Sequence, residues 1–195
     1  MTKAEFDEAL GSLQNAFFSG GALGADRHFT LYALEHGFEC VNLSFKGHEH
    51  SVPEHTVLEI PSHILNDKSV LNMLNTANRK LSRRVPKPGG YVYNLLARNR
   101  YQVYNIDRLY CISTFASPTQ VTGGTAWAVQ MYIDSVENPE IYVYDQTTKL
   151  AYQYCNDTKM FVQQLSIPKP SGNWAGIGSR SATEKEMAHF TTFFK

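Results

Sequence analysis

Along the chain the spacing of apolar positions keeps changing between a helical and a strand period, and each change marks an element. Phe6, Leu10 and Leu13 form a helical stripe, and AFFSGG after them reads as a short buried strand. ALGADRHFTLYALEHG reads as a helix closed by Gly37, and FECVNLSF as the next strand. After the loop GHEHSVPEH, residues Val70, Leu74, Ala77 and Leu81 share one face of a helix in NDKSVLNMLNTANRKLSRR, capped by Asn66 or Asp67. VPKPGG breaks that helix. YVYNLLARNRYQVYNI is the next helix, RLYCISTF a strand, and GGTAWAVQMYIDSV a helix that starts at its glycines. EIYVYDQ and KLAYQYC read as a hairpin at a sheet edge. GNWAGIG is a last strand feeding a helix, where Ser181 with Glu184 or Thr183 with Glu186 has capping-box spacing. Alternation of this kind predicts an α/β fold, a Rossmann-like three-layer sandwich with a mainly parallel sheet and helices on both faces.

Composition narrows the setting. At 195 residues the chain suits one domain, residues 1 to 195, in which folding buries about 70% of the unfolded chain's surface. Lys and Arg together number 18, as do Asp and Glu, so no overall cationic field gathers nucleic acid or anionic lipid. Any anionic ligand must be held locally. Cys40, Cys111 and Cys155 are odd in number and sit in apolar or strand-like runs, which points to a reducing, cytoplasmic setting without disulfides. The N-terminus has no apolar core of a signal peptide, and no apolar run approaches the ~20 residues that span a bilayer, so no membrane partner is expected.

Three glycine clusters fall where strands lead into helix N-termini, the place where α/β sheets bind ligands. They are Ser19, Gly20, Gly21 and Gly24; Gly123, Gly124 and Thr125; and Gly176, Gly178, Ser179 and Arg180. Glycine lets backbone N–H groups approach phosphate oxygens, and the helix dipole adds about half a positive charge. The three turns are therefore expected to converge on one phosphate-binding pocket with Arg98 at its edge. Asp26 stands ready to accept hydrogen bonds from a ribose, or else orders its turn or pairs with Arg27. Arg180 is placed to clamp a phosphate, or to form a surface ion pair. His48, Glu49, His50, Glu54 and His55 lack zinc spacing and read as a polar lid rather than a metal site. RKLSRRVPK reads as the solvated, basic end of a helix.

The motifs SGGALGAD, LLARNRYQVYNIDRLYCIS, VTGGTAWAVQ and AGIGSR resemble those of the SLOG superfamily, which includes the LOG phosphoribohydrolases and DprA-like proteins. The nearest likeness is to a YspA-like branch. In that branch AGIGSR opens the domain and here it closes it, so the resemblance implies a circular permutation with the first strand at residues 172 to 178. It also implies a nucleotide or ADP-ribose-like ligand, sensed or sequestered, with no certain cofactor. Arg98 and Asn99 match the family's Arg-Lys pair, which makes Arg98 the candidate catalytic residue. The family's catalytic glutamate falls on Gln130, which cannot transfer a proton near neutral pH, so phosphoribohydrolase activity is the alternative reading. Trp127 replaces a small residue of the motif and is expected to stack on a base or to fill the core. DprA-like binding of single-stranded DNA is disfavoured by the neutral charge. A permuted chain has two helices, residues 3 to 15 and 181 to 194, for one slot beside the sheet. Met187, Phe190 and Phe194 on the second then need a partner: a homodimer or higher oligomer is expected in which this helix docks into the interface, or in which it covers the sheet and the N-terminal helix docks instead.

Overall fold

The computed structural model describes residues 1 to 195. The chain forms α1 (Lys3–Gly11), β1 (Ala16–Ser19), α2 (Ala25–Glu35), β2 (Glu39–Ser44), β3 (Val57–Glu59), α3 (Ser62–Leu65), α4 (Lys68–Leu81) and α5 (Tyr91–Gln102). There follow β4 (Arg108–Ser113), the small hairpin β5 (Phe115–Ser117) and β6 (Gln120–Val121), and α6 (Thr125–Ser135). The remainder is β7 (Glu140–Asp145), β8 (Ala151–Cys155), β9 (Met160–Gln164), β10 (Trp174–Gly178) and α7 (Glu184–Thr191). Thr183 caps α7 through a capping box with Glu186, Asp67 caps α4, and Gly37 turns α2 outward at φ 76°.

Eight strands make one sheet in the order β3-β2-β1-β10-β4-β7-β8-β9. The six from β3 to β7 run parallel, and β8 and β9 return antiparallel as a hairpin extension at one edge. From its middle the chain steps outward through β1, β2 and β3, crosses back to β4, steps outward the other way, and brings its last strand into the centre. β10 is therefore buried on both faces. Ala175 and Ile177 face one layer with Phe18, Leu109 and Cys111, while Trp174 faces the other with Phe17, Tyr110 and Ile112. This alternation is the pleat of a two-sided sheet.

One helical layer holds α1 and α3 to α6, the other α2 and α7. The stripe of α4 read from the sequence is the buried stripe. Close packing of α2 on β10 needs Gly176, where a Cβ would come within 2.4 Å of the Phe29 ring.

The two terminal helices do not compete for one slot, because they lie on opposite faces. α1 sets Phe6 edge-on to Tyr101 of α5, with centroids 5.3 Å apart. α7 covers the other face, with Phe190 fully buried 6.2 Å from Phe29 and Phe194 5.7 Å from Tyr110. Lys195 N–H donates to the Ile167 carbonyl and Ile167 N–H to that of Phe193, so a strand-like strap holds the C-terminus down. The aromatic rings that called for a dimer thus find their partners within the chain, and the reason given for that dimer falls. No helix is long and apolar enough to cross a membrane.

Candidate functional site

The strand order reverses between β10 and β4, and there, at the carboxyl ends of the strands, lies a cleft of about 800 Å³. All three glycine turns reach it, through Ala22 and Asp26, through Thr122 to Thr125, and through Gly178 to Arg180. They do different work.

The first and third turns are packed against each other. Ala25 N–H donates to the Ser179 carbonyl at 3.0 Å, and a Cβ on Gly24, whose φ is +89°, would lie 2.5 Å from the Arg180 carbonyl oxygen. Gly20 and Gly178 are also demanded by the protein's own atoms, Arg98 and Gln102 in one case and the Ile112 carbonyl in the other. The Asp26 carboxylate sits among the N–H groups of Ala22, Gly178 and Gly20, with Arg98 Nη2 at 3.9 Å. An internal carboxyl group therefore occupies the position in which the sequence suggests a phosphate. Burial pushes the Asp26 carboxyl above its usual range, against the pull of Arg98 and of those N–H groups.

Arg98 does not stand at the rim. It is 5% exposed and donates from Nη1 to the Gly20 carbonyl at 2.8 Å and to His48 Nε2 at 2.8 Å. With Nε2 accepting, His48 is the neutral tautomer that donates from Nδ1 to Ser44 Oγ at 3.0 Å. Burial first, and then the Arg98 charge, hold the His48 pKa down to about 4. His48 is thus an inner prop of the first turn rather than part of a lid. His50 faces Glu54 at 3.2 Å, and no three His, Cys, Asp or Glu side chains are grouped closely enough to hold a metal ion.

The second turn is open. Its carbonyls are held from behind, Gly123 by Arg83 at 2.7 Å and Gly124 by Asn99 at 3.2 Å. No side chain caps α6, and the N–H groups of Gly123, Gly124 and Ala126 make no hydrogen bond within the chain. A Cβ on Gly124 would meet nothing within 4 Å. This is the arrangement of a helix N-terminus that can receive an anion.

Of the residues singled out from the sequence, Asp26, Arg98, Asn99, Gly123, Gly124, Thr125, Trp127, Gly178, Ser179 and Arg180 line the cleft. Ser19, Gly20, Gly21, Gly24 and Gly176 lie behind it, with Ser19 Oγ donating to the Gly176 carbonyl at 2.6 Å. Gln130 is outside it and donates to Asp134 at 2.8 Å. The polar pair Gln130 and Asp134, four apart on an otherwise buried helix, is the sequence signal that assigns Gln130 to the solvent side. Trp127 is 9% exposed and has the Arg83 guanidinium 4.7 Å from its ring centroid, so that face is taken. The basic end of α4 is therefore not merely solvated, since Arg83 straps the glycine turn and Arg84 lines the cleft. Sequence reasoning also passed over the apolar wall of α5, where Tyr91 is 48% and Val92 56% exposed. An apolar pair directly after Gly89 and Gly90, where a helix would begin, was the available sign.

Compared with protein-family models, curated proteins and solved structures, the chain matches none.

Proposed function

We propose that the cleft binds a nucleotide or nucleotide-derived ligand, with a phosphate at the N-terminus of α6, and that the protein senses or sequesters that ligand. One observation carries this reading: the unused N–H groups of the second glycine turn open into a cleft whose unpaired charges, Arg84 and Arg180, are both positive. The apolar wall at Tyr91 and Val92 offers a flat ring a surface on the same cleft. The resemblance to the SLOG superfamily and the central place of the last strand, which a permuted relative would have, support the same reading. The test is isothermal titration of the purified chain with adenosine and guanosine phosphates, with adenosine itself as the phosphate-free comparison. Phosphate-dependent binding is expected; equal binding of adenosine and its phosphates, or none by millimolar concentration, overturns the reading.

A second reading, cleavage of the N-glycosidic bond of a nucleoside monophosphate, has one observation in its favour. Asp26 is the only carboxylate lining the cleft, and its burial favours the protonated form that such an acid needs. Its oxygens, however, already face three N–H groups and Arg98. Release of free base from AMP, followed by chromatography and abolished by Asp26→Asn in a folded variant, would favour this reading over simple binding.

A further inference from the structure

The basic run RKLSRR, residues 79 to 84, closes α4, and no Asp or Glu stands between Asp67 and Asp107. Within it Ser82 takes the left-handed position, φ 54° and ψ 41°, where glycine is the usual residue. Its N–H donates to the Arg79 carbonyl at 3.2 Å and the Arg83 N–H to the Asn78 carbonyl at 3.1 Å, so the helix stops there. Ser82 is exposed, and residues 82 to 90 form neither helix nor strand. An exposed serine therefore sits between two pairs of cations, Arg79 with Lys80 and Arg83 with Arg84.

Three hydroxyl residues have an arginine three positions before them: Thr30 after Arg27, Ser82 after Arg79 and Thr183 after Arg180. Thr30 is 0% exposed and donates to the Asp26 carbonyl at 2.8 Å. Thr183 is held in the capping box of α7 with Glu186, and an acid, Glu184, follows it. Ser82 alone is exposed, free of a cap, and preceded by a second cation, Lys80. Kinases that select such serines hold the arginine fork in an acidic groove, a charge pattern that this segment meets. We propose that Ser82 is a phosphorylation site for an arginine-directed serine/threonine kinase. Ser82 Oγ attacks the terminal phosphoryl group of the ATP that the kinase carries, the bond from that phosphorus to the leaving ADP breaks, and the hydroxyl proton passes to the kinase's base. Access requires the last turn of α4 to open, which parts Lys80 from Asp134 and uncovers Leu81, and openings of this kind are local to a helix end.

The modification acts on the cleft through Arg83. That guanidinium holds the Gly123 carbonyl at 2.7 Å and lies 4.7 Å from the Trp127 ring centroid. A phosphate on the adjoining residue brings nearly two negative charges and three acceptor oxygens, and it stands at the negative end of the α4 dipole. It competes for Arg83 and loosens the last turn of α4, and both effects release the second glycine turn and bare Trp127. An anionic ligand at that turn is then opposed, a consequence that rests on the nucleotide reading above; the modification and the release of Trp127 do not.

Incubation of the full chain with magnesium ATP and the catalytic subunit of an arginine-directed kinase, followed by peptide mapping in a mass spectrometer, tests the site. One phosphate is expected, on Ser82, with Ser82→Ala unmodified and Arg79→Gln modified at least about tenfold more slowly, the scale of one charge-assisted pair. Tryptophan emission of the phosphorylated chain should move to longer wavelength and be quenched more readily by acrylamide. That change should be absent from Trp127→Phe, since the other tryptophan, Trp174, is 0% exposed. No phosphate on Ser82 under conditions in which the kinase modifies its own peptide substrate, or a phosphate on Thr30 or Thr183 instead, overturns the site. Emission unchanged by phosphorylation overturns the coupling through Arg83. A chain whose emission shifts on phosphorylation but which binds no nucleotide in either form keeps this proposal and overturns the reading above.

Discussion

A methyl group added at Gly20, Gly24, Gly176 or Gly178 would run into the protein itself, whereas one added at Gly124 would meet nothing within 4 Å. Gly20, Gly24 and Gly124 stand in turns that lead from a strand to a helix N-terminus, and Gly176 and Gly178 lie in the last residues of β10, the strand that leads into the third turn. In the first and third turns, glycine lets a helix, a buried arginine and a neighbouring strand come close, and Asp26 satisfies the N–H groups from inside. In the second, the carbonyls are held by Arg83 and Asn99, and the N–H groups remain unused. A glycine-rich turn before a helix is thus compatible with two opposite arrangements, one closed by the chain and one open to a ligand. Which one applies depends on residues distant in sequence.

The largest effect expected from this contrast is at Gly178. A Cβ there would stand 2.1 Å from the Ile112 carbonyl oxygen and 2.9 Å from Ala25 Cβ, in the centre of the sheet. Gly178→Ala should lose more than about 4 kcal/mol or fail to fold, as read from urea denaturation and circular dichroism. A variant of ordinary stability would break the distinction between the closed and the open turns. Asp26→Asn comes next. It keeps the shape but leaves Arg98 charged and buried without its carboxylate, a loss of about 3 to 5 kcal/mol for a broken buried pair. If the denaturation midpoint is unchanged, the Asp26 carboxyl is not what holds Arg98 and the N–H groups of the first turn.

The third effect depends on pH. The His48 pKa falls from 6.5 unfolded to about 4 folded, so the unfolded chain binds the proton more readily. His48 therefore contributes its full stability above pH 6.5 and loses it as the pH falls from 6.5 towards 4, a total of about 3 kcal/mol at 1.36 kcal/mol per unit. Asp26 has the opposite sign: its raised pKa favours folding at low pH, and that contribution is lost as the pH rises above the ordinary carboxyl range. Chemical denaturation of the wild type and of His48→Gln over this range separates the two. The difference between them should shrink and then reverse on acidification; parallel curves would show that His48 does not prop Arg98 as a neutral acceptor.

Much of the fold was legible because it depends on local pattern. The α4 stripe, the Thr183 and Glu186 box, the turn at Gly37 and the hairpin of β7 with β8 each declare themselves within a few residues. β3, only three residues long, and β9, which extends that hairpin, were not expected, since short strands gain their identity from the neighbour they pair with. The convergence of the three turns was legible for the same local reason. The division of labour among them was not. Asp26 and Arg98 are 72 positions apart and Arg83 and Gly123 are 40 apart, and no pattern along the chain shows that the first pair closes one turn while the second braces another. The same distance hid the burial of Arg98, which its sequence neighbours Ala97 and Asn99 do nothing to reveal until Gly20 and His48 are brought beside it.

The smallest effect on stability is expected at Gly124, and it is the sharpest test of the comparison. Its backbone angles, φ −66° and ψ −27°, are those of an ordinary helical residue, so alanine fits without strain. Removing a glycine reduces the freedom of the unfolded chain by about 0.4 to 1 kcal/mol, and alanine's poor performance at a helix N-cap offsets part of that gain. Gly124→Ala should therefore shift stability by less than about 1 kcal/mol, in contrast to Gly178→Ala. Gly123 gives no such clean test, because its φ of +65° would strain any side chain. The added methyl group at Gly124 does, however, stand beside the unused N–H groups that the proposed phosphate must approach. ADP affinity should fall by at least about tenfold, the scale of a lost charge-assisted hydrogen bond, while urea denaturation stays almost unchanged. A Gly124→Ala variant that binds ADP as the wild type does would mean that the open turn is merely exposed, and that the phosphate, if bound, sits elsewhere in the cleft.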